Sequence, residues 1–187
     1  CEMVVDCCGP WAQQLAERGG LKVPVEPYKR QLLMTHPFDA VGPAFPMLVD
    51  LHTGGYMRPE TGGLMLGWAD PAIPPGFDTT YDSDWEMQVI PICAERFPPL
   101  LEASILRGWA HMYDITPDHH PIIGRYPEVP NFLMAFGYSG HGVMSAPATG
   151  IALAELIAEG EAKTLDIHPF RITRFAEGDL LVERNVI

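Results

Sequence analysis

The strongest constraint on the fold is the stretch NFLMAFGYSGHGVMS, residues 131–145. Its first six residues, Asn131 to Phe136, predict an apolar strand. Apolar and small residues at helical spacing then predict a helix from about Ser145 to Ala158, which ends before Gly160. A chain that runs in the order strand, glycine-rich turn, helix brings bare backbone and a helix N-terminus to the same place.

Three glycines, Gly137, Gly140 and Gly142, lie between this strand and this helix. Without side chains, backbone N–H groups can approach a ligand closely, and the helix N-terminus adds a partial positive charge. The arrangement suits an anionic or electron-rich group such as a pyrophosphate, a carboxylate or the pyrimidine edge of a reduced flavin. As a pattern alone, it is equally typical of an ordinary strand-to-helix turn.

Two more specific functional motifs, for dinucleotide binding and for a serine hydrolase, match the sequence of this loop poorly. The segment GHGVMS nearly matches the dinucleotide-binding motif G-x-G-x-x-G/A, but Ser145 stands at the third glycine position and no second βα unit follows. Ser139 and His141 are typical of a hydrolase only within a G-x-S-x-G motif, and His141 stands where the second glycine belongs.

A metal site is also disfavoured. Imidazole and carboxylate groups at His111, Asp118, His119 and His120 would suit zinc or iron. However, neighbouring residues of a strand point to opposite faces, and the sequence has no helical H-x-x-x-H pair. We therefore predict that no metal is bound.

Tyr56 and Arg58 form a second candidate site. In the predicted strand GGYMRP they lie two residues apart, and therefore on one face. A phenol and a guanidinium in this arrangement can hold a substrate carboxylate. The alternative is an edge-strand pair that faces solvent.

The other segments predict a mixed fold. The predicted elements are a short buried strand at Met3 to Cys8, a helix at Trp11 to Arg18 with Trp11, Leu15 and Ala16 on one face, an antiparallel meander over residues 21–70, a helix at Ser83 to Arg96 that includes Pro91, and strands at 103–115 and after the turn PDHHPIIG. The charged tail, residues 161–187, is expected to wrap the surface.

Composition excludes several function classes. The 187 residues are 47% hydrophobic, which is enough for a packed core, and the net charge of -12 without a basic cluster disfavours nucleic acid. No apolar stretch is long enough to span a membrane. The four cysteines lack C-x-x-C spacing, so we expect buried, reduced thiols and a cytoplasmic protein.

The segments VVDCCGPWAQQLA, PVEPYKRQ, GGYMRPETGGLMLG and YDITPDHHPIIG through GYSGHGVMSAPATGIALAELI occur in one order along the chain. Together they resemble the C-terminal half of the D-amino-acid-oxidase superfamily, and most closely the sarcosine oxidases, the sarcosine oxidase β-subunit and related proline dehydrogenases. The resemblance covers residues 1 to about 160.

The resemblance implies an α/β fold with α+β character. Residues 1–24 and 109–160 would be C-terminal pieces of an FAD-binding Rossmann-like domain, 25–108 an antiparallel substrate domain, and 161–187 a tail. The implied activity is oxidation of the C–N bond of a small-molecule secondary amine or amino acid, such as sarcosine, dimethylglycine, glycine or proline, by hydride transfer to FAD.

Site roles follow from the same resemblance. The cofactor-binding candidates are Gly9, Trp11, Gly124, Gly137, Tyr138, Ser139, Gly140, His141, Gly142, Val143 and Met144. The catalytic candidates are Tyr56, which matches a substrate-side tyrosine of the family, together with Arg58 and His141 from the sequence patterns described above. Three departures from monomeric sarcosine oxidases, namely Met144 for a lysine, His111 for the flavin-linking cysteine and Ala69 for a histidine, imply noncovalent FAD and a different substrate or electron acceptor.

The family's N-terminal unit, which holds the ADP pyrophosphate on G-x-G-x-x-G, is not found in these 187 residues. We therefore expect weak FAD binding by the chain alone, and a partner subunit or further polypeptide that supplies this unit, with an oligomer among the expected states. The rival interpretation is a non-catalytic truncated chain or subunit that acts through such a partner.

Overall fold

The computed structural model describes residues 1–181. This part of the chain contains the strands β1 (Val4–Asp6), β2 (Glu26–Thr35), β3 (Leu48–Val49), β4 (Tyr56–Glu60), β5 (Gly63–Trp68), β6 (Ile105–Ile115), β7 (Ile122–Tyr126) and β8 (Val129–Phe136), and the helices α1 (Ala12–Arg18), α2 (Glu86–Ala94), α3 (Gly142–Ala158) and α4 (Arg174–Glu177). One sheet has the order β1-β8-β7 and the other β3-β4-β5-β2-β6. The predicted mixed α/β fold with α+β character is confirmed.

The chain divides into two compact units. The first combines Cys1–Tyr28 with the chain from Tyr113 to the last described residue, and the second is Lys29–Met112. The chain therefore leaves the first unit within β2 and returns to it within β6. The assignment of these parts to a cofactor domain and a substrate domain stays a prediction.

Strand β8 is the centre of the first unit. It pairs in parallel with β1, where Val5 is opposite Leu133, and antiparallel with β7, where Ile123 is opposite Ala135. Alternate residues of β8 pack into two apolar clusters, with Phe132, Met134 and Phe136 beside Ala12 and Ala16 of α1, and Leu133 and Ala135 beside Leu153 and Leu156 of α3. Because β8 is covered on both faces, its sequence is apolar without alternation.

The second unit confirms the predicted helix and part of the predicted meander, since β3, β4 and β5 are sequential neighbours whereas β2 pairs with β5 and not with β3. Strands β3 to β5 are joined by antiparallel pairing, and Thr61 and Gly62, both with positive φ, form the two-residue turn between β4 and β5. Helix α2 follows a short 3-10 turn at Ser83–Trp85 and contains Pro91. Its residues Val89 and Cys93 pack in one apolar cluster with residues of β2, β4 and β5.

Three sequence-based expectations are wrong. Cys1, Cys7 and Cys8 are exposed free thiols, and only Cys93 is buried, because β1 is an edge strand whose flanking residues lie at the surface. Likewise Val5 within β1 is 40% exposed, so the strand is not fully buried. Trp11 ends a 3-10 turn and is 49% exposed rather than packed on the face of α1 that carries Ala16.

Two further features differ from the sequence-based expectations, namely the start of α3 and the burial of the tail. Helix α3 begins at Gly142 rather than Ser145, since the N–H of Ser145 already donates to His141 O at 3.3 Å, and glycine carries no apolar signal. The tail does more than wrap the surface, because Arg174 of α4 has no exposed area.

Within residues 1–181, no helix combines the length and apolar character needed to cross a membrane.

Candidate cofactor site

The loop between β8 and α3 has a backbone that glycine makes accessible. Gly137, Ser139 and Gly140 have φ angles of 80°, 51° and 96°. This left-handed region is unfavourable for residues with a Cβ atom, and Ser139 is the one that adopts it here. The loop therefore follows a path in which two of the predicted glycines are required.

The end of β6 and the residue that follows it, Thr116, close the space behind both glycines. A Cβ atom on Gly137 would lie 2.4 Å from Thr116 Cγ2, and a Cβ atom on Gly140 would lie 2.5 Å from Tyr113 Cε2. Neither distance is compatible with a side chain. The loop consequently packs by its backbone against residues 113–116.

Asp114 anchors this loop. Its carboxylate Oδ2 accepts the N–H of Gly137 at 2.6 Å, and its backbone oxygen accepts the N–H of Ser139 at 3.1 Å. Burial raises the pKa of the Asp114 carboxyl above its ordinary value, although the Gly137 N–H opposes this rise. The sequence analysis missed Asp114, because nothing local relates it to a loop 23 residues later.

The N-terminus of α3 carries an uncompensated partial charge. His141 is the N-cap residue, its side chain makes no capping hydrogen bond, and the first turn contains no acidic residue. Val143 and Met144 of this turn are 92% and 73% exposed. The backbone N–H groups and the helix dipole are therefore available to a negatively charged group.

A cavity of about 300 Å³ adjoins the loop and α3. It is lined by Cys7, Gly9, Asp114, Ala135, Tyr138, Gly142, Ala146, Thr149, Gly150 and Leu153. Most of this lining is apolar, with a few polar groups, which is typical of a cofactor or small-molecule pocket. The Tyr138 hydroxyl donates to Thr149 Oγ1 at 3.0 Å, and burial raises the pKa of Tyr138. The pKa of Cys7 is also raised, by partial loss of hydration at the cavity wall and by the nearby charge of Asp6, so both groups stay protonated at neutral pH.

The structure brings together only part of the predicted cofactor-binding set. Gly9, Tyr138 and Gly142 line the cavity, and Gly137, Ser139, Gly140 and His141 form the adjoining loop. Trp11, Gly124, Val143 and Met144 are not among the lining residues. Gly124 lies on β7, where a Cβ atom would lie 3.9 Å from Ile167 of the tail.

The second unit contains the other predicted pair. Tyr56 and Arg58 lie on β4, and buried Met57 between them points to the opposite face. The Tyr56 ring covers Gly67 of β5, where a Cβ atom would lie 2.1 Å from Tyr56 Cζ. The Arg58 side chain is 43% exposed and forms an ion pair with Glu60 at 2.8 Å.

The structure also describes the residues considered for a metal site and for a serine nucleophile, the two chemistries that the sequence disfavours. In the part of the chain that the structure describes, no three His, Cys, Asp or Glu side chains are grouped so as to hold a metal ion. Asp118 instead forms an ion pair with Arg174 at 2.7 Å. Ser139 is 2% exposed and its hydroxyl donates to Gly137 O at 3.4 Å, so it is not presented as a nucleophile.

Comparison with known proteins identifies the family. Residues 1–156 match the family model described as FAD dependent oxidoreductase. The chain belongs to this family. The loop, its anchor Asp114 and the cavity all lie within the matched region, whereas α4 lies outside it.

Several relatives are similar over nearly the whole chain. FAD-dependent oxidoreductase domain-containing protein 1 of Xenopus laevis is 34% identical over 204 residues, covering 100% of this chain and 41% of the relative. Glycine oxidase of Geobacillus kaustophilus is 30% identical over 173 residues, covering 92% of this chain and 45% of the relative. The crystal structure of L-proline dehydrogenase from P. horikoshii matches with a TM-score of 0.86 and 34% identity, covering 96% of this chain and 48% of that one. The chain thus spans less than half the length of these family members.

Proposed function

We propose that this chain is part of an FAD-dependent enzyme that oxidises the C–N bond of a secondary amine or amino acid. The observation that carries the proposal is the glycine loop, with the uncapped N-terminus of α3, beside a largely apolar cavity. FAD, when bound, supplies the hydride acceptor. The family membership supports the cofactor, and the geometry supports its place in the first unit.

The residues fit the flavin end of FAD better than its adenine end. The cavity offers apolar walls for a ring system, and the N–H groups of the α3 first turn favour the negative charge that a flavin pyrimidine gains on reduction. Gly9, Tyr138 and Gly142 would line the flavin, and Gly137, Ser139, Gly140 and His141 would hold its pyrimidine edge. Trp11, Gly124, Val143 and Met144 stay in the proposed set through the family resemblance alone.

The pyrophosphate needs a different surface. No G-x-G-x-x-G motif occurs in the 187 residues, and the chain covers 41% to 48% of the relatives named above. Within the described residues, β1 pairs only with β8, so its other edge is available to a further strand. We infer that other polypeptide, in the same protein or in a partner subunit, completes the ADP-binding unit at this edge.

Arg58 and Tyr56 are the proposed substrate residues. Arg58 already binds a carboxylate, that of Glu60, in an exposed pair whose exchange for a substrate carboxylate costs little. Glycine oxidase, human mitochondrial dimethylglycine dehydrogenase and L-proline dehydrogenase are relatives whose names specify small amino acids, which supports glycine, dimethylglycine or proline as substrates. Sarcosine stays in the proposed set through the family resemblance. His141, the N-cap residue of α3, completes the proposed catalytic set.

Kinetics test the role of Arg58. Arg58→Ala should raise KM for a carboxylate substrate by an amount equivalent to about 2 kcal/mol, or about 30-fold, because a charged hydrogen bond is lost. Oxidation of a matched amine without a carboxylate is the control, and it should not change. Equal loss with both substrates, or no loss with either, would remove Arg58 from the substrate site.

The cofactor itself is tested by absorbance. The chain, alone and together with the rest of its protein, is mixed with excess FAD and desalted, and the visible flavin spectrum is recorded. Flavin retained only by the complete protein supports an ADP-binding unit outside these residues. A complete protein that remains colourless would favour the rival interpretation, a non-catalytic chain that acts by binding a partner.

Acid precipitation tests the mode of attachment. We propose noncovalent FAD, since the family resemblance puts His111 at the position where monomeric sarcosine oxidases use cysteine. All the flavin should therefore remain in the acid supernatant, and colour on the precipitate would contradict the proposal. The exposed free thiols of Cys1, Cys7 and Cys8 support a reducing, cytoplasmic location, also as a proposal.

A further inference from the structure

Arg174 of α4 is fully buried, although it comes from a charged tail. Its guanidinium binds both carboxylate oxygens of Asp118, with Nε to Oδ2 at 2.7 Å and Nη2 to Oδ1 at 2.9 Å. Nη2 also donates to His120 O at 2.8 Å, and Nη1 to Arg171 O at 3.2 Å. Three of these four acceptors belong to the turn at residues 116–120, so the buried guanidinium fixes the position of that turn.

The turn held by Arg174 continues to the glycine loop. The Thr116 hydroxyl lies 2.7 Å from His120 O, and 3.2 Å from Asp118 Oδ1, so it is held by the same two acceptor groups as Arg174. On its other side, the Thr116 methyl occupies the space where a Cβ atom of Gly137 would be. An unbroken set of contacts therefore runs from Arg174 through Asp118 and Thr116 to the first residue of the loop.

We propose that Arg174 is a positioning residue for the glycine loop, which it fixes through Asp118 and Thr116. The family match ends at residue 156, so this role belongs to a part of the chain outside that match. The proposal rests on the proposed function in one respect: positioning the loop serves catalysis only if the loop contacts the flavin. The contacts themselves make a prediction that needs no flavin.

Amide hydrogen exchange of the flavin-free protein tests the proposal. In R174M, exchange in residues 134–142 should become about 10-fold faster or more, because losing one partner of a buried ion pair frees what the pair holds. The control is R171M, which removes a tail arginine whose partners are Glu177 and Asp179 rather than Asp118. Loop exchange in R171M should remain within about twofold of wild type.

Two results would overturn the proposal. One is faster exchange in the tail of R174M with unchanged exchange in the loop, and the other is an equal effect of R171M on the loop. If R174M does not fold, T116V provides the test, since valine keeps a methyl group against Gly137 but removes the hydroxyl contact. Loop exchange should then increase while the tail, residues 168–177, stays protected, and an unchanged loop would refute the path.

Flavin titration of the same proteins separates the two proposals. The titration uses the complete protein, in which this chain is joined by the rest of its polypeptide or its partner subunit. A loop that loosens in R174M, while the complete wild-type protein binds no flavin, supports the positioning role and contradicts the proposed function. If the wild type binds flavin but amide exchange in the loop does not change in R174M, the proposed function is supported and the positioning role is contradicted. If both proposals hold, R174M should bind flavin more weakly than R171M.

Discussion

The glycine loop at residues 137–142 and the strand pair Tyr56 and Arg58 are both predicted ligand sites, but the protein holds them differently. The loop is fixed by its backbone, through the carboxylate of Asp114 and the side chains behind its glycines. The Arg58 side chain is 43% exposed, and among the described residues it forms an ion pair with Glu60, a neighbour on its own strand.

This difference separates two tasks. A contact made by buried backbone is the same for every ligand and needs no rearrangement, which suits a cofactor. An exposed guanidinium can exchange one carboxylate for another at small cost, which suits recognition of variable substrates. Substitutions in the loop should therefore affect the fold and the cofactor, and substitutions on β4 should affect the substrate alone.

Gly137→Ala should have the largest effect on stability. The new Cβ atom would require a left-handed alanine and would collide with Thr116 Cγ2 at 2.4 Å, so we expect a loss of about 3 kcal/mol or more. Urea unfolding measures it. The control is Gly42→Ala, where a Cβ atom meets nothing within 4 Å, and an equally small effect at both glycines would mean that the loop is not fixed.

Gly142→Val should affect the cofactor more than the fold. A Cβ atom there would lie 3.5 Å from Tyr138 Cβ, which is an ordinary contact, but a valine side chain would extend into the cavity. We expect a folded protein that retains no flavin after desalting. A variant that keeps its full flavin content would refute the placement of the flavin, and Gly142→Ala is the milder matched change.

Asp114→Ala should reduce stability by about 1–3 kcal/mol, since the N–H of Gly137 would lose its acceptor in a partly buried place. Asp114→Asn keeps an oxygen that can accept this hydrogen bond, so its cost should be smaller. Urea unfolding of both variants at one pH distinguishes them. Equal costs would mean that the charge of Asp114, rather than its hydrogen bond, stabilises the loop.

Asp114 and Asp118 should also give opposite pH dependences. Burial raises the folded-state pKa of Asp114, so its contribution to stability is lost as pH rises through that pKa, and Asp114→Asn should gain relative to wild type as pH rises. For Asp118, burial alone would raise the pKa, but hydrogen bonding and the charge of Arg174 bring it below the ordinary value. Its contribution is lost as pH falls, so Asp118→Asn should lose relative to wild type as pH rises. Parallel pH profiles of the two variants would contradict these assignments.

Local pattern was sufficient to predict the loop and most elements. An apolar run, three glycines and a helical repeat are properties of neighbouring residues, so β8, the loop and α3 could be located without knowledge of the rest of the fold. The start of α3 at Gly142 could not, because glycine is a poor helix former and only the hydrogen bond to His141 O reveals the extra turn.

The anchors of the loop could not be predicted, because their partners are distant in sequence. Asp118 and Arg174 are 56 residues apart, and neither differs by any local pattern from the other charged residues around it. The exposure of Cys7 and Cys8 was missed for a related reason. An apolar stretch predicts burial, but only the strand order places β1 at an edge of its sheet.

The smallest effect on stability should come from the β4 pair, and it completes the comparison with the loop. Arg58→Ala and Glu60→Gln each remove an ion pair between partly exposed side chains, so each should change the free energy of unfolding by less than about 1 kcal/mol.

The two variants should change KM for a carboxylate substrate in opposite directions. Glu60→Gln frees Arg58 and should lower KM, whereas Arg58→Ala should raise it. Urea unfolding and steady-state kinetics of the two variants provide both measurements. If either change destabilised the protein as much as Gly137→Ala, or if both raised KM equally, the pair would be structural and the division between a fixed cofactor loop and an exchangeable substrate contact would fail.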